Sequence, residues 1–113
     1  MKIIYNNIIP FKGFKAMNLF GMLFVRKDIK TPMSDIDINH ESIHSEQYKE
    51  LLFIPFLVLY LVEWFIKLFI YFDSKKAYRN ISFEREAYYN EHNLNYLSNR
   101  KHYAWFRLIF KKA

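Results

Sequence analysis

Between Leu51 and Phe72 the chain reads LLFIPFLVLYLVEWFIKLFIYF, 22 residues in which Glu63 and Lys67 are the only charges. As one continuous helix this run is long enough to cross about 30 Å of hydrocarbon. Pro55 stands near its start, where proline removes an amide donor and pushes Ile54 out of helical geometry, so a kink or a break is expected there. Glu63 and Lys67 lie four apart on one helical face and can pair with each other. The run is either the buried central helix of a soluble domain or a helix inserted in, or lying on, a membrane, and the sequence leaves both open.

Composition limits what can surround this run. A chain of 113 residues has room for one core and therefore for a single minimal domain over residues 1–113. It contains no cysteine, which removes disulfides, thiolate metal sites and cysteine nucleophiles, so any metal site must use His, Asp or Glu. Aromatics make up 20% of the residues and only two Gly and three Pro interrupt them, a composition that orders rather than disorders a chain. The net charge of +6 favours anionic lipid, nucleic acid or acidic partners alike. Nucleic acid is the weakest of these, because the basic residues are scattered and no zinc-finger or aromatic-and-basic strand pattern accompanies them. Met1 to Asn7 lacks the apolar length of a signal peptide, which places the expected start of the chain on the cytoplasmic side. No glycine-rich phosphate loop or G-x-S-x-G turn is present, so phosphoryl transfer and serine hydrolysis have no residues to stand on.

The remaining elements predict an α+β, mostly helical fold. Ile3 to Ile9 and Ala16 to Val25 are apolar stretches separated by Pro10, Gly13 and Lys15, and they predict a small N-terminal β-hairpin, with a buried helix as the alternative for the second stretch. Ser34 is a helix N-cap with Asp37 as its capping-box partner, so a helix is expected from Asp35 to about Phe53. Asp73 to Asn80 reads as a polar connection. Ser82 caps a third helix expected to reach about Leu97, and a short C-terminal helix is expected from His102 to Lys112, its terminal lysines plain solvated charge.

Inside the capped helix stands His40-Glu41-Ser42-Ile43-His44, which has the form H-E-x-x-H. At 100° per residue His40 and His44 lie about 40° apart around the axis and about 6 Å apart along it, so both imidazoles can reach one ion, and two nitrogen ligands suit Zn2+. Glu41 sits on the rim of the same face, where its carboxylate can take a proton from an attacking water and hand it to a leaving amine. A catalytic zinc needs a third protein ligand. The compact arrangement with a third His six residues further on is excluded, because Glu50 stands there and Gln47 stands where that pattern wants glycine.

Forty residues after His44 comes Phe83-Glu84-Arg85-Glu86-Ala87-Tyr88. Here the chain resembles the gluzincins, zinc peptidases that pair H-E-x-x-H with a glutamate from a later helix in the pattern E-x-x-A-D or E-x-x-S-D. The resemblance covers Ser34 to about Asn93 and is closest to very small, single-domain members. It implies a zincin-like arrangement of active-site helix, long apolar helix and third-ligand helix, with His40, His44 and Glu84 as metal ligands and Glu41 as the catalytic base and acid. Ala87 falls on the family's small residue. Tyr88 departs from it, standing where an aspartate often orients a zinc-bound histidine, and is left as a hydrogen-bonding or oxyanion-stabilising group. Glu86, about 200° around the helix from Glu84, is the alternative ligand; Glu84 is favoured because Tyr88 and Glu91 share its face. His92 and His102 are further candidates as oxyanion donors or alternative ligands, and Tyr78, Tyr89 and Tyr103 as oxyanion donors.

In the family an edge strand before the active-site helix binds substrate as an added strand, and Leu19 to Val25 takes that place. The function implied is hydrolysis of peptide or protein substrates through a zinc-activated water. The alternative is an inactive, membrane-associated metal-binding or interaction protein on the same scaffold, with Leu51 to Phe72 as its membrane contact.

Overall fold

A computed structural model describes residues 1–111. Three short strands open the chain, β1 (Ile3–Asn6), β2 (Ala16–Leu19) and β3 (Met22–Arg26), in the order β1-β3-β2. The hairpin is not between the two apolar stretches but within the second one. Phe20 and Gly21 both take positive φ, 54° and 83°, the two-residue reversal whose twist suits paired antiparallel strands. Asn18 Oδ1 accepts from Gly21 N and steadies this turn, which removes the helical alternative for Ala16 to Val25. β1 instead runs parallel to β3, Ile3 opposite Leu23 and Asn6 opposite Arg26. β3 is thus the centre of the sheet, with Leu23 and Val25 fully buried, and the edge beside the helix that carries His40 and His44 is β2, not Leu19 to Val25 as a whole.

Helix α1 (Asp35–Glu50) starts as expected. Ser34 Oγ accepts from Asp37 N and Asp37 Oδ2 from Ser34 N, both at 3.1 Å. It ends three residues before Phe53, because Leu52 and Phe53 adopt positive φ and reverse the chain. Pro55 then falls in the first turn of α2 (Ile54–Tyr71), where a missing amide costs no helical hydrogen bond; the proline produces a break rather than a kink. Along α2 the face carrying Phe56, Leu57, Tyr60 and Trp64 packs on a core of Tyr48, Ile81, Phe83 and Trp105.

Helix α3 (Ser74–Arg79) occupies what the sequence suggests is a polar connection; Asp73 caps it by accepting from Lys75 N and Lys76 N. The expected Glu63–Lys67 pairing is replaced by a contact across elements. Both Glu63 carboxylate oxygens, at 2.6 Å, accept from the backbone and hydroxyl of Ser82. Ser82 is therefore the first residue of α4 (Ser82–Asn90) rather than its cap, and a carboxylate from α2 meets the positive end of that helix. α4 stops at Asn90, well short of Leu97, because Asn39 of α1 donates to the carbonyls of Asn90, Glu91 and Asn93 and turns the chain there. One further turn, α5 (Tyr96–Asn99), follows. In place of the expected C-terminal helix there is a single 3₁₀ turn, Phe106–Leu108, whose neighbouring carbonyls at Leu108 and Lys111 are taken by Arg85. The last residue of that expected helix, Lys112, lies outside the described residues.

Candidate metal centre

α1 and α4 pack side by side, and Ala87 of α4 is fully buried. This close approach carries Glu84 to the two histidines one turn apart on α1. Glu84 Oε1 lies 3.3 Å from His40 Nε2 and 3.2 Å from His44 Nε2, and the three donor atoms fall within 4.8 Å of one another. All three residues are buried, and together they could hold a metal ion. Glu84 Oε2 is held separately by the Tyr60 hydroxyl of α2 at 2.7 Å, which fixes the plane of the carboxylate.

The hydrogen bonds around His44 decide where its proton sits. Gln47 Nε2 donates to Phe83 O at 3.0 Å and to Glu86 Oε1 at 2.9 Å, both of which can only accept. Gln47 Oε1 therefore faces His44 Nδ1, at 2.7 Å, and accepts its proton. The lone pair of neutral His44 is left on Nε2, pointing at a carboxylate oxygen. Acceptor meets acceptor there, and the contact is stable only with a positive charge in it. Burial alone would lower the His44 pKa, yet the Glu84 charge and hydrogen bond push it up to about 10. Burial likewise would raise that of Glu84, but the charge of His44 and hydrogen bonds from His40, His44 and Tyr60 hold it below the usual carboxylate range. An added proton and a bound cation answer the same demand.

Glu41 stands beside the triad with Oε2 shielded from solvent and without a hydrogen-bond partner among the described residues. Burial pushes its carboxyl up, the charges of His44 and His40 opposing. A buried carboxylate oxygen with nothing to accept costs about 1–3 kcal/mol, so a donor in the adjoining space has a favourable place to go.

Two cavities reach Glu41. One, of about 400 Å³, lies between β2 with Phe11 and Phe14 on one side and Phe56, Leu57, Tyr60 and Leu61 of α2 on the other, and extends to His44 and Glu84. The second, of about 210 Å³, is lined by Lys15, Asp37, His40, Tyr78, Tyr88 and Glu91. Glu41, Ala16 and Tyr78 border both. Asn18 binds β2 to α1 through Glu41 O at 2.8 Å and Ser45 Oγ at 2.9 Å, so the strand and the helix frame the cleft as one unit.

The other sequence candidates separate cleanly. Tyr88 adjoins the site: its ring meets the His40 ring edge-on at 4.6 Å, Arg79 lies 3.7 Å over its face, and its hydroxyl pairs with that of Tyr78 at 3.3 Å. It steadies His40 by ring contact rather than by the hydrogen bond an aspartate would make. Glu86 points away from the histidines, its carboxylate taken by Gln47, Tyr96 and Arg100. His92 is exposed beyond the end of α4, and among the described residues no hydrogen bond joins it to the triad. His102 faces Glu50 at 3.5 Å, Tyr89 meets Arg85 and Tyr103 packs on Trp105.

Sequence reasoning gave Gln47 and Tyr60 no part in the site and placed Glu91 only on the face of Glu84, whereas its carboxylate comes within 3.8 Å of His40 Nδ1. Gln47 and Glu91 each follow a site residue at helical spacing, seven after His40 and seven after Glu84, which places them on the same faces; Tyr60 had no local signal. Comparison with protein-family models, curated proteins and solved structures finds no match to the chain.

Proposed function

We propose that this chain is a minimal zinc-dependent peptidase of gluzincin type, with His40, His44 and Glu84 as ligands and Glu41 as general base and acid. The observation that carries the reading is two imidazole nitrogens and a carboxylate oxygen, all buried and drawn from two helices, converging on one point beside a second carboxylate oxygen that has no partner among the described residues. Two imidazoles and a carboxylate are a donor set suited to zinc and leave a position open. Bound there, zinc supplies Lewis acidity, polarising a scissile carbonyl and lowering the pKa of water towards neutrality.

The chain's own residues do the rest. Gln47 keeps the His44 proton on Nδ1, and Tyr60 keeps Glu84 from rotating. An extended peptide enters along the outer edge of β2, whose main-chain groups, apart from the Asn18 carbonyl held by the Tyr48 hydroxyl, supply hydrogen bonds. As water attacks the carbonyl carbon, Glu41 receives its proton; when the carbon–nitrogen bond breaks, Glu41 returns that proton to the leaving amine. The burial that raises the Glu41 pKa makes its carboxylate the stronger base for the first of these transfers. The hydroxyl of Tyr78, which borders both cavities, and that of Tyr88, paired with it in the smaller one, are the donors for negative charge on the carbonyl oxygen.

The test is metal analysis of protein purified without chelator, followed by cleavage of a peptide library. Near-stoichiometric zinc is expected, lost in the His40→Ala, His44→Ala double variant. Glu41→Gln is expected to retain zinc and lose at least about a hundredfold in rate. Zinc retained by the native chain with no cleavage of any peptide overturns the peptidase reading and leaves the inactive metal-binding scaffold.

A further inference from the structure

The outer face of α2 is apolar along its whole length and uncovered. Only Phe56 of its 18 residues is buried, and Val58, Val62, Phe65 and Phe69 form an exposed stripe, Phe69 at 65%. Such a continuous surface is unlike the scattered apolar residues of an ordinary soluble surface. What can cover it is limited by how α2 is fastened. Phe56 sits in the core, Tyr60 holds Glu84, Glu63 is bound to Ser82 and the Trp64 indole donates to Ser74 O at 3.4 Å. These ties are spread over the helix, so α2 cannot stand across a bilayer without drawing α3 and the charged α4 into hydrocarbon, where each buried charge costs several kcal/mol.

A helix with one face bound to a polar domain and the other bare and apolar fits the interface of a membrane, lying in its plane with its outer side about 5–10 Å deep. Two further observations point to lipid rather than to a second copy. The exposed cations Lys75, Lys76 and Arg79 follow directly on the end of α2, and the chain as a whole carries +6, which repels a like copy and attracts anionic headgroups. Across the larger cavity from α2 the loop Phe11-Lys12-Gly13-Phe14 presents two aromatic rings and a lysine at its tip, Phe11 being 83% exposed. Lys12 and the α3 cations thus flank the apolar surface at two separate places.

We infer that α2 and the Phe11–Phe14 loop dock the protein in the plane of an anionic lipid surface, so that the larger cavity at the His40-His44-Glu84 triad opens toward the membrane. The docking is independent of the metal. Its consequence for substrate, that the site takes apolar peptide segments held at the membrane surface, rests on the peptidase reading.

The chain has no cysteine, so single cysteines report position without interference. Val58→Cys, Val62→Cys, Phe65→Cys, Phe69→Cys and Phe14→Cys, each spin-labelled, are measured for depth in phosphatidylcholine vesicles with and without phosphatidylglycerol, on zinc-loaded and metal-depleted protein alike. The expected result is one shallow depth shared by all five labels, and binding weakened at least about tenfold when phosphatidylglycerol is omitted or when Lys75, Lys76 and Arg79 are all changed to Gln. Depth that increases steadily from Val58 to Phe69 overturns in-plane docking in favour of a spanning helix. Label-to-label broadening without lipid contact overturns it in favour of a second copy. A shared shallow depth in protein that binds no metal upholds the docking and removes only the peptidase reading.

Discussion

Two clusters of buried charge lie between α1 and the segments packed on it, and they are built on opposite plans. At one, Glu50 and Glu86 surround Arg100: Glu50 binds Arg100 through both oxygens at 2.8 and 2.9 Å and also accepts from Tyr103 N and Trp105 Nε1. Glu86 accepts from Arg100, Tyr96 and Gln47. Each carboxylate is surrounded by donors. At the other, His44 Nε2 and Glu84 Oε1 turn acceptors toward each other beside His40, with the bare Glu41 oxygen alongside. A saturated cluster holds a fold together, and one that leaves an acceptor facing an acceptor is shaped for something that arrives. Gln47 belongs to both, its amide oxygen on His44 and its amide nitrogen on Glu86.

The sharpest way to break this contrast is at Arg100. Arg100→Met strands two buried carboxylates, and losing one side of a buried ion pair costs about 3–5 kcal/mol. A fall in melting temperature of at least about 10 °C is expected by calorimetry, the same in metal-depleted and zinc-loaded protein. A melting temperature within a degree or two of the native chain would show that the cluster is not a structural tie.

Glu84→Gln is the counterpart. It removes the anionic ligand, and zinc affinity is expected to fall at least about a hundredfold by competition titration, since changing residues that merely orient ligands already costs 10–100-fold. In metal-depleted protein near neutral pH the melting temperature should fall, but by less than in Arg100→Met, because His44, whose positive charge Glu84 favours, can lose its proton and leave no buried charge stranded, whereas the two carboxylates around Arg100 lose their partner outright. Strong destabilisation without metal would place this cluster in the same class as the other.

How far these clusters were legible in the sequence follows from their geometry. His40, Glu41 and His44 sit within one helical turn behind a strong cap, so their relation is local and helix periodicity fixes it. Glu84 came from a resemblance, and Ala87 supplied the physical reason that α4 could approach. Nothing local relates Glu50, Glu86 and Arg100, which are brought together only by the turn after α4. That turn depends on Asn39, next to His40, whose amide holds three carbonyls more than fifty residues away. The same limit explains the sheet. The Phe20-Gly21 reversal has a glycine signal, but the parallel partner of β3 is a long-range choice that apolar alternation does not specify. α3 was missed although Asp73 marks its start, because six residues give periodicity too little length to register.

Gln47→Leu tests the bridge between the clusters. It frees the His44 ring and leaves Glu86 and Phe83 O each one donor short, so zinc affinity should fall about 10–100-fold and stability by about 1–3 kcal/mol together. A drop in only one quantity would mean that the two clusters are independent.

The smallest expected effect is acid sensitivity of the saturated cluster. Burial alone would raise the Glu50 pKa, but hydrogen bonds from Arg100, Tyr103 N and Trp105 outweigh it and hold the carboxyl below its ordinary value of 4.5. The folded protein therefore binds this proton less readily than the unfolded chain does, so the stabilisation is fully present above pH 4.5 and is lost as the pH falls through the lower, folded value. Arg100, whose pKa is driven the other way by the two carboxylates against the effect of burial, stays charged throughout that window and adds no slope of its own. Urea unfolding of metal-depleted protein between about pH 5 and pH 3 should show stability declining, with a Glu50→Gln variant less stable at pH 5 but flatter by under about 1 kcal/mol across the range. Equal slopes in the two proteins would move the acid response to Glu84, whose depressed pKa has the same sign, and would make the triad rather than the Arg100 cluster the place where protons compete with the fold.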